Sequence, residues 1–507
     1  RRGIVYGYYL DDTEKGLKDV NKSIQLNPNF YKPYNNRGVY YNELGEYSKA
    51  ILDFNKSLKL AAENNINTDR SKCLNYMHMA DSYSGLEDYE NAIKFNLLAL
   101  KHNPPEQDIN PIFFHLSELY YNLNEYRLGI LYNDSIMATQ EYAPCYGRKA
   151  QFLLEYFIYD KTEFLKQYQI NDIEIAFEIA FRKMPENTRL LSSSIRLDYI
   201  TKNWESVIEK NKKIIIILND DKKAFNEYES MGDAYFNLLE YESSIKSYSK
   251  ALTIYEDLKN QNIDPDLTYV FEVNQSDKIS RILSSRAEVY RTIGEFQNSK
   301  NDLDSLISLE PGNHKNYSSR GLFYYETNRF KEAILDFEKS LEIKPTAEAH
   351  NYLANTYYKL DNLKKAERHY SLAVDKDTIS IDQLIDRSAF YISTAKYELA
   401  KYDLEQAMQI DQNDPTVYFY LHKLYVEKGK YLRALRHLDQ AINNFVLHKD
   451  LYLIPIFPTY NYYSLIDLYL SRVFIYNKLG DSKEMVCEDY KNICELGDCE
   501  MFNAHCK

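Results

Sequence analysis

RGLFYYETNRFKEAILDF, residues 320–337, is the stretch of sequence that decides the fold, because closely similar text occurs near the start of the chain. There, residues 37–54 read RGVYYNELGEYSKAILDF. Both stretches run from Arg-Gly through adjacent aromatic residues to Ala-Ile-Leu-Asp-Phe, and Lys-Ser-Leu follows after one further residue. Self-similarity of this kind predicts an array of structural repeats.

A simple spacing rule extends the repeat along the chain. The rule starts from one position, usually a small residue, which we call the crossing residue. A tyrosine lies three residues after it, an aromatic residue nine residues after it and a small residue twelve residues after it. The aromatic position has one exception, Leu363. The rule accounts for much of the tyrosine content, 49 of 507 residues. Nine segments have the tyrosine, and their crossing residues are Gly38, Ala80, Ser117, Gly232, Ala287, Gly321, Ala354, Ser388 and His422.

The spacing between these segments predicts pairs of helices. From Ala287 to His422 successive crossing residues are 33 or 34 positions apart, which is the period of a helix–turn–helix unit. Pro104, Pro311 and Pro345 would end the second helix of a pair, since proline cannot continue a helix. We expect the two helices to cross closely where the crossing residue meets the small residue twelve positions on.

These positions resemble the tetratricopeptide-repeat family over nearly the whole chain. The sequence departs from the family pattern where Tyr34, Tyr317 and Tyr418 replace the tryptophan that begins the first helix. The resemblance implies an all-α fold, a right-handed α-solenoid (superhelix) of about 13 helix–turn–helix repeats, some of them degenerate. Because each pair leaves an apolar face that only the next pair can cover, we expect the array to stack continuously.

The strength of the pattern divides the chain into five segments. Two connections are longer than the rest, Glu256 to Ile279 and the proline-containing stretch after Asn443; such insertions often lie on a binding face, although a loop that docks its own apolar residues is the simpler interpretation. The chain begins at Arg1 inside a degenerate repeat, so we expect the protein to extend upstream. The segments are N-terminal repeats in 1–145, degenerate repeats in 146–220, a regular array in 221–442, an insertion loop in 443–465, and a terminal repeat with a cysteine-rich capping helix in 466–507.

Four of the six cysteines lie in the last 21 residues. Seven residues make about two helical turns, so Cys487 and Cys494 share a helix face, as do Cys499 and Cys506. A turn at residues 495–498 would fold the segment as a hairpin and pair Cys487 with Cys506 and Cys494 with Cys499. The segment also resembles the terminal cap of tetratricopeptide proteins of Bacteroidota, some of which are exported. Buried free thiols in a cytoplasmic cap remain the alternative.

Composition and motifs exclude several classes of function. The net charge of −13 disfavours nucleic acid as a partner, because binding it requires a basic face. No apolar run is long enough to span a bilayer. We find no phosphate-binding loop, nucleophile elbow or metal-ligand motif, so we expect no catalytic residues, no metal and no cofactor. Both a cytoplasmic and an exported location are compatible with the sequence, which makes no prediction of oligomeric state.

Stacked helix pairs present an extended surface that suits protein binding. The sequence therefore predicts a non-catalytic scaffold that binds an extended peptide or a partner helix in the concave groove. The alternative is a sensory or regulatory domain of a longer chain that binds a peptide or other ligand. Groove residues lie one turn from the crossing contact, where paired asparagines could hold a peptide backbone and tyrosines could flank it. The candidates are Arg291, Tyr325, Asn351, Asn355, Tyr358 and Lys359.

Overall fold

Paired helices make up the structure, confirming the expected all-α solenoid. The computed structural model describes residues 13–64, 69–102, 104–139, 141–220, 223–260, 275–374, 380–447, 454–455, 462–480 and 483–506. The chain forms two compact units, Arg1–Gln261 and Asn262–Lys507, and the boundary lies in the long connection expected after Glu256. Most of that connection, most of the expected insertion loop and the start of the first degenerate repeat at Gly3 lie outside the described residues. The five-segment division stays a prediction.

The first unit contains fourteen described helices. Successive helices pack as pairs, such as α2 with α3 and α13 with α14. In the stretch where the pattern is degenerate, the four-residue helix α9 is inserted between α8 and α10, which still pack against each other. The helices are α1 (Thr13–Leu26), α2 (Tyr31–Glu43), α3 (Tyr47–Glu63), α4 (Asp69–Gly85), α5 (Tyr89–Lys101), α6 (Glu106–Asn122), α7 (Tyr126–Thr139), α8 (Ala143–Tyr159), α9 (Lys161–Phe164), α10 (Ile170–Lys183), α11 (Thr188–Thr201), α12 (Trp204–Leu218), α13 (Phe225–Asn237) and α14 (Tyr241–Asn260).

The second unit continues the same arrangement. Its described part has thirteen helices and one short antiparallel strand pair in which Ile454 lies opposite Tyr463. The elements are α15 (Gln275–Thr292), α16 (Phe296–Leu309), α17 (His314–Glu326), α18 (Phe330–Ile343), α19 (Ala347–Lys359), α20 (Leu363–Val374), α21 (Ile381–Ser393), α22 (Tyr397–Ile410), α23 (Pro415–Glu427), α24 (Tyr431–Leu447), β1 (Ile454–Pro455), β2 (Tyr462–Tyr463), α25 (Leu465–Leu479), α26 (Lys483–Glu495) and α27 (Glu500–His505).

A left-handed residue forms the turn inside each clear repeat. It lies seven positions after the crossing residue, and the next N–H donates to the carbonyl of the repeat's tyrosine, as Arg329 does to Tyr324 at 2.7 Å. This is the Schellman geometry that ends a helix while satisfying its last carbonyls. Glycine occupies the position in only three of the nine repeats. The nine turn residues of the clear repeats, all with positive φ, are Gly45, Glu87, Asn124, Leu239, Gly294, Asn328, Asp361, Ala395 and Gly429.

The two helices of a pair meet closely at the crossing residue. The Oγ of Ser299 donates to the carbonyl of Ala287, the crossing residue twelve positions before it, at 2.8 Å. At Gly321, an added Cβ would lie 2.6 Å from the ring of the fully buried Phe337. Small residues are therefore favoured at this position, because a backbone or an aromatic ring from the second helix lies against the first.

Eight of the nine clear repeats use one of two side-chain pairings beside this contact. In four, an arginine before the crossing residue binds an aspartate sixteen positions later, and the pairs are Arg37–Asp53, Arg286–Asp302, Arg320–Asp336 and Arg387–Asp403. In four others the arginine position is apolar and the repeat's tyrosine stacks on a ring twelve positions later, and the pairs are Tyr83–Phe95, Tyr120–Tyr132, Tyr357–His369 and Tyr425–His437. The ninth has Met231 and Ser247 at the two positions.

Candidate functional site

A cavity of about 830 Å³ lies in the second unit, on the face formed by the first helices of successive repeats. Four of these helices, α19, α21, α23 and α25, contribute to its lining. Its apolar wall includes Tyr358, Ile392, Val426, Leu470 and Phe474. Leu470 and Phe474 are 40% and 47% exposed, so both side chains are accessible at the cavity wall. A concave apolar surface with a few polar groups is the usual form of a binding site.

The charged groups and the imidazole of the cavity come from α23 and α25. His422, Lys423, Glu427 and Asp467 all line it. His422 is buried at its crossing position, and burial lowers its pKa to about 4. Asp467 lies in the first turn of α25, where its Oδ2 accepts hydrogen bonds from the backbone N–H and the hydroxyl of Ser464. The arrangement combines an apolar wall with hydrogen-bond acceptors and provides surface for binding.

Two of the six predicted groove residues are buried inside the repeats. Tyr325 is 6% exposed and its ring packs edge-on against Phe330, with centroids 5.7 Å apart. Burial raises its pKa. Asn355 is 3% exposed, and its Oδ1 accepts a hydrogen bond from the hydroxyl of Tyr370. Because the Asn355 amide is enclosed by its own repeat, it does not form an exposed pair with Asn351.

Asn351 instead pairs with a carboxyl group of the next repeat. Its Nδ2 donates to Oδ2 of Asp386 on α21, and its Oδ1 is buried without a hydrogen-bond partner among the described residues. Desolvation raises the pKa of Asp386 to about 7, and the nearby carboxylate of Asp382 adds to the effect. A protonated Asp386 could donate to the Asn351 oxygen, so that the amide and the acid would satisfy each other. The pair joins α19 to α21.

The other three predicted residues lie on the surface in different settings. Arg291 forms an ion pair with Glu326 of the next repeat, Nη1 to Oε2, at 2.6 Å. Tyr358 lines the cavity. Lys359 is exposed at the last residue of α19. The structure thus brings only Tyr358 to the cavity, and peptide binding by the six residues stays a prediction.

The C-terminal cysteines lie where α27 packs back on the last helix pair. The structure joins Cys487 to Cys506, with Cα atoms 5.5 Å apart, and Cys494 to Cys499, with Cα atoms 4.0 Å apart. The ring of Tyr490 stacks on His505 at 5.9 Å, and Met501 and Phe502 of α27 pack on an apolar cluster around it. These are the pairs that the hairpin predicts, and their oxidation in solution stays a prediction. The remaining two cysteines, Cys73 and Cys145, are buried and free.

Sequence reasoning missed most of the polar side of the cavity. The available signal was His422, the one large residue among the nine crossing residues.

Within the described ranges, no cluster of three or more His, Cys, Asp or Glu side chains is placed to hold a metal ion. A search of the same residues finds no helix with the length and apolar character needed to span a membrane.

Comparison with known proteins places this geometry in context. A tetratricopeptide-repeat model matches residues 20–51, and a second one matches residues 228–258 and 314–346. DnaJ homolog subfamily C member 7 of Mus musculus is 20% identical over 392 residues, 73% of this chain and 72% of that protein. Protein O-mannosyl-transferase TMTC1 of Homo sapiens is 25% identical over 160 residues, 31% of this chain and 18% of that protein. The crystal structure of a tetratricopeptide repeat protein from Parabacteroides merdae is 16% identical and covers 55% of this chain and 94% of its own, with a TM-score of 0.38.

The matched segments agree with the repeats described above. Each contains a crossing residue, Gly38, Gly232 or Gly321, and includes residues of both helices of its pair. The left-handed turn recurs in the other clear repeats, and the period of 33 or 34 residues runs from Ala287 to His422. The chain is a tetratricopeptide-repeat protein.

Proposed function

We propose that this protein is a non-catalytic interaction scaffold that holds an extended segment of a partner protein against the first helices of its second unit. Repeats of this family generally act in protein–protein interaction, and their stacked helices provide extended binding surfaces. The observation that carries the proposal is the cavity of about 830 Å³ bordered by the exposed side chains of Leu470 and Phe474.

The acidity of the chain supports a protein partner rather than a nucleic acid. With a net charge of −13, the chain repels a polyanion, and no patch of lysine and arginine lines the cavity. The apolar wall is also of the kind that receives side chains of a partner. Aromatic and aliphatic anchors buried in such pockets dominate the binding energy of many interfaces.

The test is selection of random twelve-residue peptides displayed on phage, followed by affinity measurement of synthetic copies. Selected peptides are expected to bind the wild-type protein and to lose affinity for Leu470→Asp and Phe474→Asp, because each substitution places a charge in the apolar wall. The matched control is Leu432→Asp on α24. Leu432 is 72% exposed and does not line the cavity, so this variant should bind as the wild type does.

Two results would contradict the proposal. Selection that yields no binding peptide would remove peptide binding as the function. Peptides that bind the two cavity variants and the control equally well would place binding on another surface. Circular dichroism of each variant establishes that its helices are intact before affinities are compared.

A further inference from the structure

His422 differs from every other crossing residue of the clear repeats. The other eight are glycine, alanine or serine, whereas His422 brings an imidazole ring to the contact between α23 and α24. Its side chain is 5% exposed, yet it lines the cavity. Because alanine suffices for this packing role in three other repeats, the ring adds a polar group to the cavity that helix crossing does not require.

The hydrogen bond of His422 fixes which ring nitrogen is left for a ligand. Its Nδ1 lies 3.3 Å from the carbonyl oxygen of Ala434. A carbonyl oxygen can only accept, so Nδ1 carries the proton and donates. In the neutral ring Nε2 then has a lone pair and acts as an acceptor. Burial lowers the pKa of His422 to about 4, which keeps the ring neutral near pH 7.

Two carboxylates of the same cavity add further acceptors. Glu427 is exposed near the end of α23, and its carboxylate has no partner among the described residues. Both hydrogen bonds from Ser464 reach Oδ2 of Asp467, so Oδ1 has no partner in the described part of the chain. A ligand group with several N–H donors and a positive charge would complement this set.

The cation in the lining does not reverse this charge preference. The Nζ of Lys423 lies 5.2 Å from the ring centroid of Phe419 and 5.5 Å from that of Tyr420, so its charge is directed toward aromatic faces. The lining contains one lysine and two carboxylates, and the net charge of the whole chain is −13. A basic segment would therefore be attracted both over long range and at the cavity.

The apolar wall completes the match with a long basic side chain. Lysine and arginine place an aliphatic stem on apolar surface while their charged ends meet polar groups. We propose that the cavity receives an arginine or lysine side chain of the partner segment, with its stem against Leu470 and Phe474 and its charged end among His422, Glu427 and Asp467. This inference rests on the proposed function and specifies the chemistry of the partner.

The probes are acetylated and amidated hexapeptide libraries in which one position is fixed as arginine, lysine, norleucine or glutamate. The wild-type protein is expected to retain the arginine and lysine libraries about tenfold more strongly than the norleucine and glutamate libraries. Glu427→Gln removes an exposed charge, and His422→Ala installs the residue that other repeats use at this position. Each should reduce retention of the basic libraries about fivefold, so that the preference for basic over norleucine peptides falls in both variants.

The controls separate this inference from the function on which it rests. Glu342→Gln removes an exposed carboxylate of α18 that does not line the cavity, and it should retain the basic libraries as the wild type does. Retention of norleucine peptides in a Phe474-dependent way, without preference for basic ones, would overturn the inference and leave the scaffold function standing. Equal retention of basic peptides by Glu427→Gln, His422→Ala and the wild type would also overturn it. Failure of every library to bind would overturn both.

Discussion

Arg387 binds both carboxylate oxygens of Asp403, with Nε 2.8 Å from Oδ2 and Nη2 2.7 Å from Oδ1. The side chain of Asp403 is 1% exposed and that of Arg387 is 14% exposed. In the repeats on either side, leucines replace the arginine and histidines occupy the aspartate position, at Leu353 with His369 and Leu421 with His437. The two positions therefore change together, since an aspartate at the second position requires the arginine.

We predict that replacing one member of the pair is harmful and that replacing both is tolerated. Arg387→Leu leaves a buried carboxylate without its partner and should lower the free energy of unfolding by about 3 kcal/mol. Arg387→Leu combined with Asp403→His recreates the pairing of the flanking repeats and should recover most of that loss. Urea unfolding followed by circular dichroism measures both variants.

The surface pair Arg329–Glu332 provides the control for this exchange. Both side chains are more than 40% exposed, and the shorter distance between them is 2.8 Å. Arg329→Leu should change the free energy of unfolding by less than about 0.5 kcal/mol, because exposed ion pairs contribute little. A double variant of Arg387 and Asp403 no more stable than Arg387→Leu alone would contradict the interpretation.

The repeat period and the crossing residues could be predicted because they depend on contacts within one helix pair. The Arg–Asp pairing was also present in the two stretches that reveal the repeat, as Arg37 with Asp53 and Arg320 with Asp336. The sequence alone does not indicate that the arginine and the aspartate pair, because the tyrosine and small-residue positions are enough to establish the fold. A spacing of sixteen between opposite charges becomes meaningful only when both helices are placed side by side.

Exposure within the groove could not be predicted from repeat position alone. Tyr325 and Tyr358 both lie four residues after their crossing residue, but Tyr325 is 6% exposed whereas Tyr358 lines the cavity. The ring of Tyr325 packs on Phe330 of its own repeat, whereas the ring of Tyr358 packs on Phe390 of the next repeat. The cavity likewise needs Phe474 of α25 near Val426 of α23, two residues separated by a long insertion whose geometry no periodicity specifies.

We predict that Leu239→Gly stabilises the first unit. Leu239 has a φ of +62° and is 69% exposed, so it has an unfavourable backbone conformation and little packing to lose. Left-handed geometry costs a residue with a Cβ about 1–2 kcal/mol, and the greater freedom of glycine in the unfolded chain offsets part of the gain. The free energy of unfolding should rise by about 1 kcal/mol in urea titrations.

Gly294→Ala is the reciprocal variant. Gly294 has a φ of +80°, and an added Cβ would meet no atom within 4 Å, so any loss of stability comes from the backbone alone. The free energy of unfolding of the Gly294→Ala variant should be about 1 kcal/mol lower than that of the wild type. If Leu239→Gly lowers stability instead, packing of the leucine outweighs its strained turn.

We predict that Asp386 makes the second unit less stable as pH rises from 4 to 8. Its pKa is about 7 in the folded protein and near 3.8 without the fold, so the folded state binds the proton more tightly. The stabilising contribution of Asp386 is fully present below its pKa in the unfolded chain and is lost as pH rises through its pKa in the folded protein. Because Asp386 is partly exposed, we expect a loss of about 1–2 kcal/mol.

Asp386→Asn isolates this titration. The amide keeps the shape of the carboxyl group but does not ionise, so its stability relative to the wild type should increase between pH 5 and pH 8. Thermal unfolding of both proteins across this range measures the difference in their stability. The other titrating groups contribute equally to both proteins, so their contributions cancel in that difference. A difference that is constant with pH would show that Asp386 does not titrate in this window.

The last prediction concerns the C-terminal cap. Mass spectrometry of protein alkylated without reductant should find two free thiols, those of Cys73 and Cys145, and six after reduction. In the chain-entropy model the outer bridge, Cys487–Cys506, closes a loop of about 20 residues and contributes about 3 kcal/mol, whereas the inner bridge, Cys494–Cys499, contributes about 2 kcal/mol. Cys487→Ser should therefore destabilise the terminal repeat more than Cys494→Ser does.

Limited proteolysis reports this difference locally, because release of α27 uncovers Tyr490 and its apolar neighbours and opens the segment after Glu495 to cleavage. Six alkylated thiols in protein that has never been reduced would show that α27 is held by packing alone, and the two serine variants should then be cleaved at the same rate as the wild type.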